Sequence, residues 1–131
     1  LLRGKTFLHL PSVYDPLGAR LVQSLGYEAT YVGGYVSGAA TAITEPQLTM
    51  SEQIKLAADV AQSIAIPLIV DGGAGFGEAL HTMRMVRECI RAGIAGVHVE
   101  PEFVAARQEI EDLIDLSKHY EIEAQTVEKR S

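Results

Sequence analysis

Cysteine, long apolar runs and clustered basic residues are scarce in this sequence, and each scarcity excludes a class of protein. The only cysteine, Cys89, cannot form an intrachain disulfide, and a cysteine-based zinc site is excluded for the same reason. No stretch approaches the roughly 18 to 20 apolar residues that a membrane span needs, so no membrane partner is expected. Lys and Arg are scattered and outnumbered by Asp and Glu, which argues against a nucleic-acid partner.

The rest of the composition is that of an ordinary globular domain. The chain has 131 residues, of which 47% are hydrophobic and 21% are charged, so it can bury a core as one domain. Cys89 lies at helical spacing in the segment MVRECIRAGI, and we predict a buried small hydrophobic side chain there rather than a nucleophile. The segment LLRGKTFLHLPS has too short an apolar run for a signal peptide, so a cytoplasmic location is expected.

Segments typical of strands and helices alternate along the chain. The predicted strands are KTFLHLP, EATYVGG, IPLIVD and AGVHVE. Predicted helices follow them in DPLGARLVQSLGY, in EQIKLAADVAQSIAI after a capping box at residues 49–52, in GEALHTMRMVRECIRAG, and in PEFVAARQEIEDLIDLSKHYEIEAQ. This alternation predicts an α/β fold with a parallel sheet, either an open doubly wound sheet or part of a (β/α)8 barrel. A complete barrel takes about 250 residues, so the chain would hold about half of one.

Acidic residues follow two successive predicted strands. Asp71 ends the third strand and Glu100 ends the fourth, so both carboxylates should lie at the same edge of the sheet. Such a pair suits Mg²⁺, which prefers a few carboxylate oxygens together with water and an anionic substrate. The alternative is structural, with Asp71 capping the next helix and Glu100 forming a surface ion pair.

The glycine-rich segment VDGGAGFG, residues 70–77, does not fit a nucleotide-binding loop. Aligning Gly73 and Gly75 with the first two glycines of G-x-G-x-x-G places Glu78 at the third position. The segment also lacks the Gly-Lys-Ser/Thr ending of a P-loop. For the four histidines, including His98 in the fourth strand, a structural role is predicted, because none forms a recognised metal-ligand spacing.

The ordered segments PSVYDPLGARL, YVGGYVSGAA and LTMSEQIKLAADVAQSIAIPLIVDGGAGFGEALHTMRMVRECIRAGIAGVHVE together resemble the isocitrate lyase/phosphoenolpyruvate mutase superfamily. The similarity covers residues 6–100, roughly three quarters of the chain. It implies a (β/α)8 TIM barrel, Mg²⁺ as cofactor, and a homo-oligomer, a dimer or tetramer with exchange of a terminal helix. It also implies a small 2-oxo or 2-hydroxy carboxylate as substrate, and cleavage of a C–C bond, or in some members a P–C bond, through a pyruvate-enolate-like species.

The resemblance also implies roles for individual residues. Asp71 matches the metal-binding acid of the family loop D-x-D-x-G-Y/F-G, and Glu100 matches the acid of H-I/V-E-D, so both are predicted as catalytic metal ligands. Gly33 and Gly34 fall where the backbone amides of an S-G pair hold the anionic end of the substrate. Tyr31 and Tyr35 lie beside them and are predicted to bind substrate as well.

The sequence departs from the family pattern at several positions. Gly73 replaces the second acid of the loop, Gln47 corresponds to the acid of the family's G-x-P-D segment, and Gly33 replaces the serine of the S-G pair. The family's lid segment is replaced after Glu100 by Pro-Glu-Phe. We therefore predict half of a barrel, its first four β/α units, in residues 1–100 and a C-terminal helical segment in residues 101–131. Two alternatives stay open, a catalytically silent family member that acts by assembly and an unrelated open α/β ligand-binding domain.

Overall fold

The computed structural model describes Gly4 and residues 7–100. Three parallel strands alternate with helices, and their bounds are β1 Thr30–Val32, β2 Leu68–Asp71, β3 Gly96–His98, α1 Pro16–Ser24, α2 Gly34–Thr41, α3 Met50–Ser63 and α4 Ala79–Arg91. A short 3₁₀ turn at Glu45–Gln47 lies between α2 and α3. The helix predicted after residue 100 lies outside the described residues.

The strands are ordered in the sheet as they are in the chain. β2 pairs in parallel with β1 on one side and with β3 on the other, and Asp71 at the end of β2 is paired with His98. A single parallel bridge joins Ser12 to Tyr31 on the free side of β1. The sequential order agrees with that of consecutive barrel strands.

The first predicted strand, KTFLHLP, is placed differently in the structure. Residues 7–10 form no strand, and the pairing begins later, where Tyr31 N donates to Pro11 O over 3.1 Å and Val13 N donates to Tyr31 O over 2.8 Å. Pro11 has no N–H to give to a ladder, so it contributes only its carbonyl. The prediction was therefore wrong for residues 7–10, although the chain does approach β1 directly after them.

The helix boundaries follow from local capping. The Asp15 carboxylate accepts a hydrogen bond from Gly18 N over 2.6 Å and Pro16 occupies the first turn, so α1 begins there. The capping box of α3 is confirmed, because Thr49 N donates to the Glu52 carboxylate over 2.8 Å and Glu52 N donates back to the threonine hydroxyl over 3.3 Å. No helix in the described part of the chain is long and apolar enough to cross a membrane.

The two faces of the sheet differ in burial. Val32, Leu68 and Val70 face the helices and join the core, whose buried members also include Val13, Ala19, Ala57, Val60, Ala61, Met85, Cys89 and Ile94. On the opposite face, Tyr31 and Ile69 are only half-buried and His98 is exposed. Among the described residues, nothing covers this second face of the sheet, and Asp71 lies on it.

Cys89 provides a test of the packing. Its thiol lies in the core with 1% exposure, as predicted, and burial, with a smaller effect from the charge of Glu88, raises its pKa to about 11. Because the thiolate is the reactive form, we expect native protein to react with iodoacetamide much more slowly than urea-unfolded protein does. Mass spectrometry of samples taken over time measures both rates. Equal rates in the two states would contradict the buried position.

Candidate active site

A cavity of about 380 Å³ lies at the carboxyl end of the sheet, where Asp71 and Glu100 both reach it. The loop after β2, the 3₁₀ turn and the first residue of α2 form its walls. Its lining residues are Gly34, Glu45, Pro46, Leu48, Gln53, Asp71, Gly72, Gly73, Ala74, Phe76, Gly77 and Glu100. The two acids predicted from the strand ends are thus brought to one cavity, as the parallel topology requires.

The Asp71 carboxylate is held by backbone amides from two elements. One oxygen accepts a hydrogen bond from Gly73 N at 2.8 Å, and the other accepts from Gly34 N at 3.2 Å. Gly34 is the first residue of α2, where unpaired amides and the helix dipole favour a negative charge. Asp71 does not cap the next helix, because the N-cap of α4 is Glu78. The structural alternative for Asp71 is therefore wrong in that form.

Glu100 lies beside the same loop. Its amide donates a hydrogen bond to Gly73 O over 2.8 Å, which ties the end of β3 to the glycine-rich segment. Its side chain is exposed and lines the cavity. No ion pair of Glu100 is found with any described residue, so the alternative of an ordinary surface pair has no support there.

The predicted substrate-binding residues are dispersed around this edge. Gly34 lines the cavity, but its amide is already bonded to Asp71. Gly33 is buried as the N-cap of α2, and its carbonyl accepts from the Ser37 amide and hydroxyl at 3.0 and 2.7 Å. Tyr35 is 77% exposed and is absent from the cavity wall. The substrate-binding roles of these residues stay predictions.

Tyr31 and His98 form a contact on the open face of the sheet. The Tyr31 hydroxyl lies 3.3 Å from His98 Nδ1, across the sheet from the helices. Burial, followed by the negative charges of Asp71, Glu100 and Glu45, raises the pKa of Tyr31 to about 12. Tyr31 therefore keeps its proton at neutral pH. His98, for which the sequence predicts a structural role, is exposed beside the site instead.

The raised pKa of Tyr31 predicts a loss of stability in alkaline solution. A group whose pKa is higher in the folded state contributes its full stabilisation below the unfolded pKa, near 10, and loses it as the pH rises towards about 12. Between these pH values we expect the urea midpoint of the wild type to fall more steeply than that of Tyr31→Phe. Parallel slopes for the two proteins would show that Tyr31 has an ordinary pKa.

The sequence did not single out two further residues of the cavity wall. Glu45 comes from the 3₁₀ turn. Gln53 is a core residue of α3 with 2% exposure, and its Nε2 donates a hydrogen bond to the Asp71 carbonyl over 3.2 Å. Gln53 Oε1 is buried and has no hydrogen-bond partner in the described part of the molecule. A polar residue on the buried side of a helix was the one signal that pointed to Gln53.

The donor set of the cavity fits Mg²⁺. The side-chain oxygen atoms available to a metal belong to the carboxylates of Glu45, Asp71 and Glu100 and to the unpaired amide of Gln53. All of them are hard oxygen ligands. Within residues 7–100, no three His, Cys, Asp or Glu side chains are close enough to hold a metal ion alone. A bound Mg²⁺ would therefore keep several waters, which this ion does readily, since it releases water reluctantly.

Comparison with known proteins decides the family. Residues 1–130 match the family model described as phosphoenolpyruvate phosphomutase. The chain belongs to this family. The predicted resemblance to the isocitrate lyase/phosphoenolpyruvate mutase superfamily is thereby confirmed.

Named relatives in the superfamily include lyases and a hydrolase. An oxaloacetate decarboxylase of Pseudomonas entomophila is 34% identical over 110 residues, which are 82% of this chain and 38% of that protein. A solved 2,3-dimethylmalate lyase is 27% identical with a TM-score of 0.69, covering 75% of this chain and 34% of the other. A phosphonopyruvate hydrolase solved with oxalate and Mg²⁺ is 25% identical with a TM-score of 0.71, covering 75% of this chain and 35% of the other. The chain thus spans little more than a third of the relatives' length.

Proposed function

We propose that this family member acts as a Mg²⁺-dependent carbon–carbon lyase or decarboxylase on a small 2-oxo or 2-hydroxy carboxylate. One observation carries the proposal. The Asp71 carboxylate is fixed by two backbone amides at the carboxyl end of the sheet, in an oxygen-lined cavity that Glu100 also reaches. The names of the relatives, a decarboxylase and a lyase of small carboxylic acids, agree with this chemistry.

In this proposal, two residues hold the cation and others orient the ligands and the substrate. Asp71 and Glu100 hold the cation, and the amides of Gly34 and Gly73 keep the Asp71 oxygens in place. When bound, Mg²⁺ would polarise the substrate carbonyl and stabilise negative charge as the enolate develops. Tyr31, protonated at neutral pH, is a hydrogen-bond donor at the same edge of the sheet for an anionic substrate.

We also propose that residues 1–100 correspond to the first four β/α units of a (β/α)8 barrel. The sequential parallel strand order supports this, and so does the open sheet face that carries Tyr31, Ile69 and His98. In a closed barrel, that face would line the interior. This chain spans little more than a third of the length of its relatives. The remaining barrel strands would correspond to the part of those proteins that this chain does not cover. We further propose that the protein forms a homo-oligomer and that it is located in the cytoplasm.

Two other functions have specific support. P–C bond chemistry is supported by the family model itself and by the phosphonopyruvate hydrolase among the structural relatives. A catalytically silent protein that acts by assembly is supported by Gly73 and Gln47, which stand where the family pattern has acids. Binding of Mg²⁺ together with turnover would rule out the silent alternative.

A panel of substrates tests the proposal. The purified protein is assayed for release of pyruvate or glyoxylate from oxaloacetate, 2-methylisocitrate, isocitrate and 2,3-dimethylmalate, with Mg²⁺ and with a chelator. Phosphonopyruvate represents the P–C alternative, read out as release of inorganic phosphate for hydrolysis and as formation of phosphoenolpyruvate for the mutase reaction. We expect turnover of at least one carbon substrate only when Mg²⁺ is present. Turnover of phosphonopyruvate alone would replace the lyase proposal, and turnover that chelation leaves unchanged would contradict the role of the metal.

A further inference from the structure

The 3₁₀ turn brings an acid to the cavity that the family alignment does not assign. We propose that Glu45 adds a third negative charge to the wall of the cavity and that this charge, acting through water rather than by direct contact with the ion, raises the affinity of the cavity for Mg²⁺. This inference rests on the proposed function. The charge of Glu45 would partly replace two missing acids, because Gly73 and Gln47 stand where the family pattern has acidic residues.

Glu45 packs directly across the residue that holds Asp71. A Cβ atom placed on Gly34 would collide with the Glu45 carboxylate and would come within 2.9 Å of its Cγ. The amide of the same glycine donates to Asp71 over 3.2 Å. The two carboxylates thus flank one glycine, and both line the cavity. A larger residue at position 34 would separate Glu45 from this wall.

The neighbouring Gln47 is directed elsewhere by its own turn. Its Oε1 accepts hydrogen bonds from the Thr44 hydroxyl at 3.1 Å and from Thr44 N at 3.5 Å, which completes a capping box. Gln47 is not among the cavity-lining residues. The acidic side chain of this turn is therefore that of Glu45, two positions before Gln47, and Glu45 lines the cavity.

Close packing fixes the turn against α2. A Cβ atom on Gly38 would lie 2.8 Å from Ile43 O and 3.0 Å from Glu45 N, so only glycine lets the two backbones approach this closely. Backbone atoms cannot move aside as a flexible side chain can. The position of Glu45 is consequently set by the packing of α2 and not by a free loop.

An independent feature of the cavity is compatible with a hydrated cation. Gln53 is nearly fully buried, lines the same cavity and leaves Oε1 without a hydrogen-bond partner in the described part of the chain. An unpaired buried acceptor is destabilising, so a hydrogen-bond donor is expected there. Water bound to a cation is such a donor, whereas a carboxylate is not.

The negative charges of the cavity have no cationic partner among the described residues. No Lys or Arg within residues 7–100 forms an ion pair with Glu45, Asp71 or Glu100. Like charges gathered at one cavity repel each other, and a divalent cation relieves that repulsion. Removing one of the three charges should therefore weaken the binding of the cation without abolishing it.

Calorimetric titration with Mg²⁺ tests the inference on three proteins, the wild type, Glu45→Gln and the double variant Glu45→Gln/Gln47→Glu. The double variant restores the net charge but places the acid where the turn directs it away from the cavity. We expect Glu45→Gln to weaken Mg²⁺ binding about fivefold, and we expect the double variant to stay equally weak. Mn²⁺ as a second probe should show the same order.

The outcomes separate this inference from the proposed function. Equal affinities of the wild type and Glu45→Gln would overturn the role of Glu45 alone. Recovery of affinity in the double variant would overturn it as well, because net charge rather than position would then explain the effect. An absence of Mg²⁺ binding by the wild type would overturn the proposed function and this inference with it. Circular dichroism of each variant establishes that the fold is retained.

Discussion

Asp71→Asn is expected to lower Mg²⁺-dependent turnover by roughly 100-fold or more, the loss that follows when one stabilising group of a developing negative charge is removed. The substitution keeps the shape of the side chain but removes its negative charge. It also sets the new NH₂ group against one of the two amides, of Gly34 and Gly73, that now donate to Asp71. The substitution should therefore weaken metal binding and also disturb the orientation of the side chain at position 71. Initial rates at saturating Mg²⁺ measure the effect on the best substrate of the panel.

A matched control separates this effect from a general loss of charge. Asp59 is an exposed acid of α3 that pairs with Lys55 at 2.7 Å and is absent from the cavity wall. Surface pairs of this kind are worth little, so Asp59→Asn should leave turnover unchanged. If Asp71→Asn stays folded and as active as Asp59→Asn, then Asp71 does not hold the metal. Urea unfolding of both variants shows whether either has lost its fold.

Gly73→Asp is expected to strengthen Mg²⁺ binding about tenfold, or ~1.4 kcal/mol. It restores the second acid of the family loop, and the backbone can accept it. Gly73 has φ +51°, a left-handed conformation that aspartate tolerates better than most residues, and a Cβ atom there would meet nothing within 4 Å. Calorimetric titration measures the change in affinity.

The variant Gly73→Asn is the control for Gly73→Asp, because it has the same size and the same tolerance of left-handed backbone without the charge. We expect it to bind Mg²⁺ as the wild type does. A gain in affinity shared by both variants would mean that loop rigidity rather than charge limits the site. Unchanged affinity in Gly73→Asp would mean that the loop does not direct this position towards the cation.

The elements that the sequence predicted well are those with strong local signals. α3 starts at its predicted capping box, α1 starts within the segment predicted for it, and α4 is followed by Gly93, whose φ of +75° ends the helical path. α2 was missed because its residues are small and have no apolar repeat of helical period, so nothing in GYVSGAAT distinguishes a helix from a loop. Its stability depends on tertiary contacts, such as the one between Gly34 and Asp71.

The site was predictable only in part for a similar reason. Asp71 and Glu100 could be placed together because parallel strands end at one edge, which is a property of topology. Glu45 could not, because its position depends on how the 3₁₀ turn packs against Gly38. The family pattern has its acid at the position of Gln47, but the side chain of Gln47 is held by its own capping box. Local packing decides between two neighbouring polar residues, and sequence spacing does not contain that information.

Calorimetric titration of Mg²⁺ into the wild type, Asp71→Asn and Glu100→Gln shows whether these two acids form a metal site. We expect one Mg²⁺ site in the wild type that is lost, or weakened beyond detection, in Asp71→Asn and weakened in Glu100→Gln. Both side chains line the same cavity, so the two substitutions should act on the same site. Binding that is equally strong in all three proteins, or no binding by the wild type, would contradict a metal site at the ends of β2 and β3.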